Sequence, residues 1–438
     1  MLLHESTQSM RRRIIAGIGA NSFSMATSIG IQIVSLPLFL LYWNTAIYGK
    51  WLMLSAIPAY LSMADVGMVT AAGNKMTMAM GKSDLAEANK IFQSAQLFMT
   101  VVCGSAALLT LPIILLTPLP WLQTNDQRIA LAALCLGVLV ALFGGLSEAV
   151  FKSSGRYAMG TMLGNCVRVG EWLGYMIGLV LVGSFAAVAL CGLAMRLLGT
   201  FAGIVLAQRG NHGIKWGVQA AEKAEISLMI KPAVSFMAFP LANALSFQGL
   251  TLLVGALFGP VSVALFNTYR TIARISVQIT AIFSHALWPE FSRLFGANAE
   301  TAIRQLFYRS VFLGALQACI LSGILYVTSP FLLHIWTHKN IEFVPSLMLL
   351  MLLYAAVSGV WHIPRVLLMA TNQHTSLAYW VLLAGVLSIA LAFMFSRALQ
   401  LNGVVIAMLV SELFIAIVCT KLAHSTITAD LDKKAALT

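Results

Sequence analysis

Twelve apolar stretches, separated by short polar connections, occupy most of the 438 residues of this chain. A helix rises about 1.5 Å per residue and a bilayer core is about 30 Å thick, so each stretch is long enough to cross a membrane once. We therefore predict an all-α polytopic membrane protein with spans near residues 14–42, 49–73, 91–116, 129–151, 158–182, 185–207, 228–257, 261–289, 305–328, 345–370, 375–396 and 402–424.

The composition excludes a sizeable water-soluble module. Hydrophobic residues make up 59% of the chain and charged residues only 10%, with a mean hydropathy of +0.87. Arg11, Arg12 and Arg13 precede an apolar run with no clear small-x-small cleavage site, so we interpret this run as a retained first span rather than a signal peptide. All six cysteines fall inside predicted spans, where packing is a better explanation than a disulfide framework or a metal site.

The net charge of +12 is distributed unevenly between the predicted sides of the membrane. With a cytoplasmic N-terminus, the two tails and the even-numbered connections hold 16 of the 27 basic residues, and the opposite side holds 4. Cytoplasmic connections are enriched in Lys and Arg, so this asymmetry predicts that both termini are cytoplasmic. It also explains the basicity of the chain without a nucleic acid partner.

A polar connection at residues 208–225 separates six predicted spans from six others. A shift of 215 residues aligns Gly81 with Gly296 and Phe92 with Phe307, and it keeps the span boundaries roughly in phase. Because six is even, the two halves would be parallel repeats. We predict two six-helix lobes, 1–215 and 216–438, around a central cavity.

Ionisable residues inside spans are costly and therefore informative. The deepest are Arg168, Glu171, Arg196, Arg270, Arg274 and Glu412, and those nearer the cytoplasmic ends are Asp65, Glu148, Lys231, His285, Arg309 and Arg365. Arg168 and Glu171 are three residues apart, so a structural ion pair between them is one interpretation. The 215-residue shift places Arg196 beside Glu412, which raises the hypothesis that these two groups face each other. Lys231 and Arg365 could instead snorkel to the headgroups.

Arg270 and Arg274 are four residues apart in the eighth span, which contains no acid until Glu290 near its end. Their charges require either acids from other helices or a cavity that accepts anions. We favour the cavity, and because guanidinium groups bind phosphate oxygens in a bidentate manner, we expect a cargo that carries phosphate.

Motifs of soluble enzymes fail on inspection. Gly81-Lys82-Ser83 imitates the end of a phosphate-binding loop but lacks the leading glycine, and Asp430-Leu-Asp432 lies in a predicted frayed tail. We therefore expect no enzymatic activity, no catalytic residues, no cofactor and no metal.

Four segments resemble the polysaccharide transporter family of Wzx-type O-antigen flippases. These segments are Tyr48-Gly-Lys-Trp51, Asp65-Val-Gly67, Phe266-Asn-Thr-Tyr-Arg-Thr-Ile-Ala-Arg274 and Leu287-Trp-Pro-Glu-Phe-Ser-Arg293. The family belongs to the multidrug/oligosaccharidyl-lipid/polysaccharide exporter (MOP) superfamily, together with the lipid II flippases and the multidrug and toxin extrusion (MATE) antiporters. The chain lacks the two additional C-terminal helices of lipid II flippases, which weakens that assignment.

The resemblance implies a bacterial inner-membrane protein of lipopolysaccharide O-antigen or exopolysaccharide biosynthesis. Its cargo would be an undecaprenyl-pyrophosphate-linked oligosaccharide, moved by alternating access of two lobes, and its partners would be membrane lipids and a polysaccharide polymerase or ligase complex. The candidate residues for binding pyrophosphate or an anionic sugar are Arg270, Arg274, Arg168, Arg196, Lys231 and Arg365.

Two alternatives remain open at this point. A cation-coupled multidrug antiporter of the same superfamily would need acids in its cavity, for which Glu412, Glu171 and Asp65 are the candidates. The same three acids are our candidates for proton or ion coupling, with Glu412 first. An integral-membrane enzyme of glycan assembly is the other alternative, but no loop carries an acid/base constellation.

Overall fold

The computed structural model describes residues 7–118, 122–210, 213–296, 300–371, 373 and 375–435. Within these ranges the chain is all-helical, with no β-strand, as the sequence predicts. The α-helices are α1 (Thr7–Tyr42), α2 (Thr45–Ala56), α3 (Pro58–Leu61), α4 (Met68–Gly81), α5 (Leu85–Leu116), α6 (Asn125–Ser153), α7 (Tyr157–Leu181), α8 (Phe185–Arg209), α9 (Lys223–Ala244), α10 (Leu250–Ala286), α11 (Trp288–Gly296), α12 (Glu300–Trp336), α13 (Pro345–Ala370) and α14 (Thr375–Ala435). A π-helical turn, Leu245–Gly249, joins α9 to α10.

Eight helical segments in the described ranges are long and apolar enough to cross a bilayer. Two of these run across two predicted spans each: Leu241–Ser284 covers parts of spans 228–257 and 261–289, and Thr375–Ile427 contains spans 375–396 and 402–424. Both are kinked where the sequence places a boundary. The first kink is at Gly259, whose φ of 81° suits glycine, and Pro260 follows it. The second is at Gln400, with φ of 51°.

The second predicted span is not one helix. It is divided among α2, α3 and α4, and the break before α4 contains Val66 and Gly67, both with positive φ. The fifth predicted span corresponds to α7, which carries Arg168 and Glu171.

The chain divides into two compact units. The first contains Met1–Trp43 and Leu54–Met237, and the second contains Asn44–Met53 and Ala238–Thr438. The predicted lobe boundary after residue 215 stays a prediction. One pair of helices follows the 215-residue shift between the two halves of the chain, since α5 begins at Leu85 and α12 begins 215 residues later, at Glu300.

In the first unit, α4, α5 and α6 share a core that includes the fully buried side chains of Met76, Phe92 and Met99. Helices α7 and α8 approach each other through glycine, because a Cβ at Gly174 would lie 2.5 Å from the carbonyl oxygen of Cys191. This close contact holds the two helices that carry Arg168, Glu171 and Arg196.

The connection after α8 folds back along α5. Asn89 donates to the carbonyl of Gly213 at 2.9 Å, and the side chain of Gln93 accepts from the backbone of Ala220 at 2.7 Å. Gln96 accepts from Gly217 at 3.1 Å. The most polar connection of the chain is therefore fixed to the first unit by a stripe of amides on α5.

In the second unit, α11 to α14 enclose a core with Phe291, Phe307 and Leu367 at its centre. Tyr269 of α10 is buried, and its hydroxyl donates to the carbonyl of Glu342 and accepts from the backbone of Val344. These bonds fix the register of α10, the helix that carries Arg270 and Arg274.

Candidate functional site

A cavity of about 310 Å³ lies within the second unit, between α9, the π-helical turn, α10, α13 and α14. Four of the charged residues predicted from the sequence line it together: Arg270, Arg274, Arg365 and Glu412. We call this space the arginine cavity. Its other polar lining groups include Asn243, Ser246, Tyr354, Ser358, His362, Ser388 and Ser411.

Arg270 is 2% exposed and is bound by neutral oxygen atoms. Its guanidinium donates to the carbonyl of Phe247 at 2.9 Å, to the hydroxyl of Thr251 at 2.7 Å and to the amide oxygen of Asn267. Its Nε is buried without a hydrogen-bond partner. None of the ion pairs found among the described residues includes Arg270. The second unit therefore holds this guanidinium in place without neutralising its charge.

Phe247 connects the two arginines of α10. The guanidinium carbon of Arg270 lies 3.6 Å from the centre of the Phe247 ring, and that of Arg274 lies 4.8 Å from it. Phe247 is in the π-helical turn, an irregularity that is frequent at functional sites. The turn therefore supplies both a carbonyl acceptor and an aromatic surface to cationic side chains.

Arg274 differs from Arg270 in its contacts. It lines the same cavity one helical turn further along α10 and is only half-buried. Apart from the contact with the Phe247 ring, no hydrogen bond or ion pair of its guanidinium is found with any residue that the structure describes. Its five N–H donors are therefore available to a ligand.

Glu412 is the carboxylate of the arginine cavity. It accepts a hydrogen bond from the indole nitrogen of Trp361 at 2.8 Å. Arg365 of α13 is close enough to attract this carboxylate and also contacts Trp361, with 5.8 Å from its guanidinium carbon to the ring centre. With three arginines and one glutamate in its lining, the cavity carries a formal charge of about +2 when all four groups are ionised.

Unsatisfied polar atoms also mark this cavity. The hydroxyl of Ser411, a residue that is 5% exposed, is buried without a hydrogen-bond partner, as is Nε of Arg270. Both residues line the arginine cavity. Nε of Arg196 in the first unit also lacks a partner, so this feature is shared by both units, and the assignment of a ligand site rests on the uncompensated charges of Arg270 and Arg274.

In the first unit, the arginines predicted to lie deep in the membrane have side-chain partners. Arg196 forms an ion pair with Glu171, and the hydroxyl of Tyr175 donates to the same carboxylate at 2.9 Å. Arg168 donates to the hydroxyl of Ser28 at 2.6 Å instead. The expected pair of Arg168 with Glu171 is thus wrong, because α8 brings Arg196 to the carboxylate. The hypothesis that Arg196 and Glu412 face each other stays a prediction.

Two further predicted residues lie outside the arginine cavity. The carboxylate of Asp65 accepts a hydrogen bond from the backbone of Gly67 at 3.1 Å, in the turn that precedes α4. Lys231 is on α9, but its side chain lies outside the part of the chain that the structure describes.

Several residues were missed from the sequence, namely Thr251, which binds Arg270, and the cavity-lining residues Phe247, Tyr354, Ser358, Trp361 and His362. They are neutral side chains in apolar spans, so a search for buried charge does not find them. Asn267 was within the segment used for the resemblance, and its spacing of three residues from Arg270 could have identified it.

Solved structures similar to this chain include transporters of the MATE family. An inward-facing structure of a multidrug resistance MATE family transporter of the MOP superfamily aligns over 94% of this chain and 98% of its own, with a TM-score of 0.76 and 11% identity. An outward-facing structure of such a transporter aligns over 94% and 96%, with a TM-score of 0.66 and 11% identity.

A MOP superfamily transporter from Pyrococcus furiosus aligns over 95% of this chain and 94% of its own, with a TM-score of 0.60 and 11% identity. It is described as having a binding pocket of reverse polarity that suggests a different function. No protein-family model and no curated protein sequence matches the chain. The chain is therefore a multi-pass membrane protein with the fold of MATE transporters of the MOP superfamily, and its place among polysaccharide flippases stays a prediction.

Proposed function

We propose that this protein is an inner-membrane exporter that moves an undecaprenyl-pyrophosphate-linked oligosaccharide by alternating access. The observation that carries the proposal is the charge of the arginine cavity. Arg270 and Arg274 share its wall, and no carboxylate among the described residues forms an ion pair with either.

Uncompensated arginines inside a membrane protein favour an anionic ligand. Placing a charge at the bilayer centre costs at least about 2.5 kcal/mol on insertion scales. A phosphate in the cavity would supply the missing counter-charge and accept two parallel hydrogen bonds from one guanidinium. The donors of Arg274 are available to a ligand, and Arg365 of α13 adds a further positive charge to the same cavity. Pyrophosphate is therefore a better match to this lining than an organic cation.

The structural neighbours support the transport part of the proposal. Transporters of this fold have been solved in inward-facing and outward-facing conformations, which is the pair of states that alternating access requires. The P. furiosus transporter with a pocket of reverse polarity indicates that the charge of the pocket varies within this fold. Selecting an anionic cargo would thus require a change of side chains and not of fold.

A multidrug antiporter is the second candidate, and one observation favours it. Glu412 presents a carboxylate to the arginine cavity, and a carboxylate is the group that would bind an organic cation or a coupling proton. The other two acids proposed for this role have partners of their own, since Glu171 binds Arg196 and Asp65 accepts a hydrogen bond from the backbone of Gly67.

A transport assay on the purified protein distinguishes the two functions. The protein is reconstituted into liposomes, and movement of an undecaprenyl-pyrophosphate-linked fluorescent oligosaccharide is compared with uptake of ethidium. We expect movement of the anionic lipid and loss of it in Arg274→Ala, because this substitution removes the donors available to phosphate. Ethidium uptake that persists in Arg274→Ala and disappears in Glu412→Gln would establish the antiporter instead.

A further inference from the structure

A second cavity lies within the first unit, near the C-terminal end of α6. It has a volume of about 190 Å³ and is bounded by α4, α6 and the first turns of α7. Its lining consists of Val69, Thr70, Gly73, Glu148, Ala149, Lys152, Tyr157, Gly160 and Thr161. We call it the α6 cavity. The proposed transport of a pyrophosphate-linked oligosaccharide assigns it no role.

Glu148 presents an open carboxylate to this cavity. The side chain is exposed, and no hydrogen bond or ion pair joins it to any residue in the described part of the chain. The carboxylate fits beside Gly164 of α7 because glycine has no side chain. A Cβ at this position would lie 2.9 Å from Oε1 of Glu148. Arg168 and Arg196 attract Glu148 electrostatically, but their guanidinium groups bind Ser28 and Glu171.

Lys152 lines the same cavity one helical turn after Glu148. A glutamate four residues before a lysine is the spacing that favours an ion pair on a helix. Here Nζ of Lys152 instead donates to the amide oxygen of Asn74 on α4, at 2.7 Å, and forms no ion pair with Glu148. An ammonium group has three donors, so Lys152 keeps two after this bond.

The α6 cavity therefore holds a negative and a positive group on one wall, about 6 Å apart along the helix axis, without contact between them. Hydroxyl groups of Thr70, Tyr157 and Thr161 lie in the same lining. A ligand that bridges the two charges must carry an ammonium for Glu148 and an anion for Lys152.

We propose that the α6 cavity binds the headgroup of phosphatidylethanolamine, with the primary ammonium on Glu148 and the phosphate on Lys152. Helix α6 is apolar over most of its length and its last turn contains Lys152, as at a membrane surface, so a lipid headgroup is the zwitterion available at this depth. A primary ammonium donates three hydrogen bonds to carboxylate and hydroxyl oxygens, whereas the quaternary ammonium of choline donates none.

Native mass spectrometry of the full-length protein tests this site. The protein is purified in micelles with equal amounts of phosphatidylethanolamine, phosphatidylcholine and phosphatidylglycerol, and the retained lipids are counted. We expect phosphatidylethanolamine to be retained about tenfold over phosphatidylcholine, as the loss of a charge-assisted hydrogen bond predicts. Glu148→Gln should abolish this preference, while Glu87→Gln, which changes an acid outside the cavity, should leave it intact.

A second variant keeps the charge of Glu148 and changes only the space around its carboxylate. Gly164→Ala places a methyl group against Oε1 of Glu148, so it should weaken the preference without removing the carboxylate. Equal retention of the two zwitterionic lipids by the wild type would overturn the proposal, as would an unchanged preference in a folded Glu148→Gln protein. Stronger retention of phosphatidylglycerol would identify an anion site instead, and free phosphoethanolamine binding as tightly as the lipid would overturn the assignment to a membrane lipid.

Discussion

Both units of this protein contain arginines deep in apolar helices, but they neutralise them differently. In the first unit, Arg196 has a carboxylate partner in Glu171, which also accepts a hydrogen bond from Tyr175. In the second unit, Arg270 is bound by neutral oxygens and Arg274 forms no ion pair within the described residues. A deep arginine is therefore informative about ligands only when its own unit leaves the charge uncompensated.

The difference has an energetic consequence. In the first unit the charge of Arg196 is balanced by Glu171, so removing one member leaves an unpaired charge and affects folding. The arginine cavity is incomplete without a ligand, so removing Arg274 should affect binding more than folding. The predictions below test this contrast, in order of decreasing expected effect.

Substitution of Arg196 by alanine should cause the largest loss of stability. It leaves Glu171 buried without its counter-charge, which typically costs about 3 to 5 kcal/mol when a buried pair is broken. Thermal unfolding of the detergent-solubilised protein measures the effect. Replacing both residues, as in Arg196→Met with Glu171→Leu, should recover most of the loss; an unchanged melting temperature in Arg196→Ala would contradict the structural role.

Arg274→Ala should give a folded protein that has lost transport. The substitution removes up to two charge-assisted hydrogen bonds to phosphate, worth about 1.5 to 3 kcal/mol each, so we expect transport to fall at least about tenfold. Arg274→Lys should retain part of the activity, because it keeps the charge but not the planar fork. The measurement pairs protein abundance in the membrane with the transport rate, and a parallel fall of both would contradict a role in cargo binding.

Thr251→Val should have a smaller effect that acts through Arg270. It removes a neutral acceptor of the Arg270 guanidinium without changing any charge, which costs about 1 to 3 kcal/mol if the donor remains unsatisfied. We expect a lower melting temperature together with a modest loss of transport. Thr268→Val is the matched control, because the Thr268 hydroxyl donates only to a backbone carbonyl of its own helix; equal effects of the two changes would argue against the role of Arg270.

Glu412→Gln should have the smallest effect on the fold, because glutamine can still accept the hydrogen bond from Trp361. If Glu412 couples transport to a proton, the dependence of transport on pH should become flat in this variant. The transport rate is measured over a range of pH for wild type and variant. Parallel pH profiles would exclude Glu412 as the coupling group.

The sequence predicted the helical class and located the charges inside spans, because both depend on local signals. Span length and hydropathy identified the helices, and the kinks at Gly259 and Gln400 lie between predicted spans. The buried charges were found because each is costly in an apolar span. Four of them, on α10, α13 and α14, line one cavity.

The pairing of these charges could not be predicted, because it depends on how helices are rotated against each other. Glu171 is one turn from Arg168, but packing against α8 gives it Arg196. The π-helical turn at Leu245–Gly249 has no compositional signal, so the role of Phe247 was hidden. A signal was overlooked on α5, where Asn89, Gln93 and Gln96 are spaced as one helical face and bind the central connection.

Titration of the purified protein with inorganic pyrophosphate tests the central claim most directly. Isothermal titration calorimetry is performed on the wild type, on Arg274→Ala and on Arg397→Ala, a change of an exposed arginine of α14 that does not line the arginine cavity. The arginine cavity predicts binding by the wild type and by Arg397→Ala, with an affinity at least about tenfold lower in Arg274→Ala. Absence of pyrophosphate binding to the folded wild type, or equal affinity in all three proteins, would contradict it.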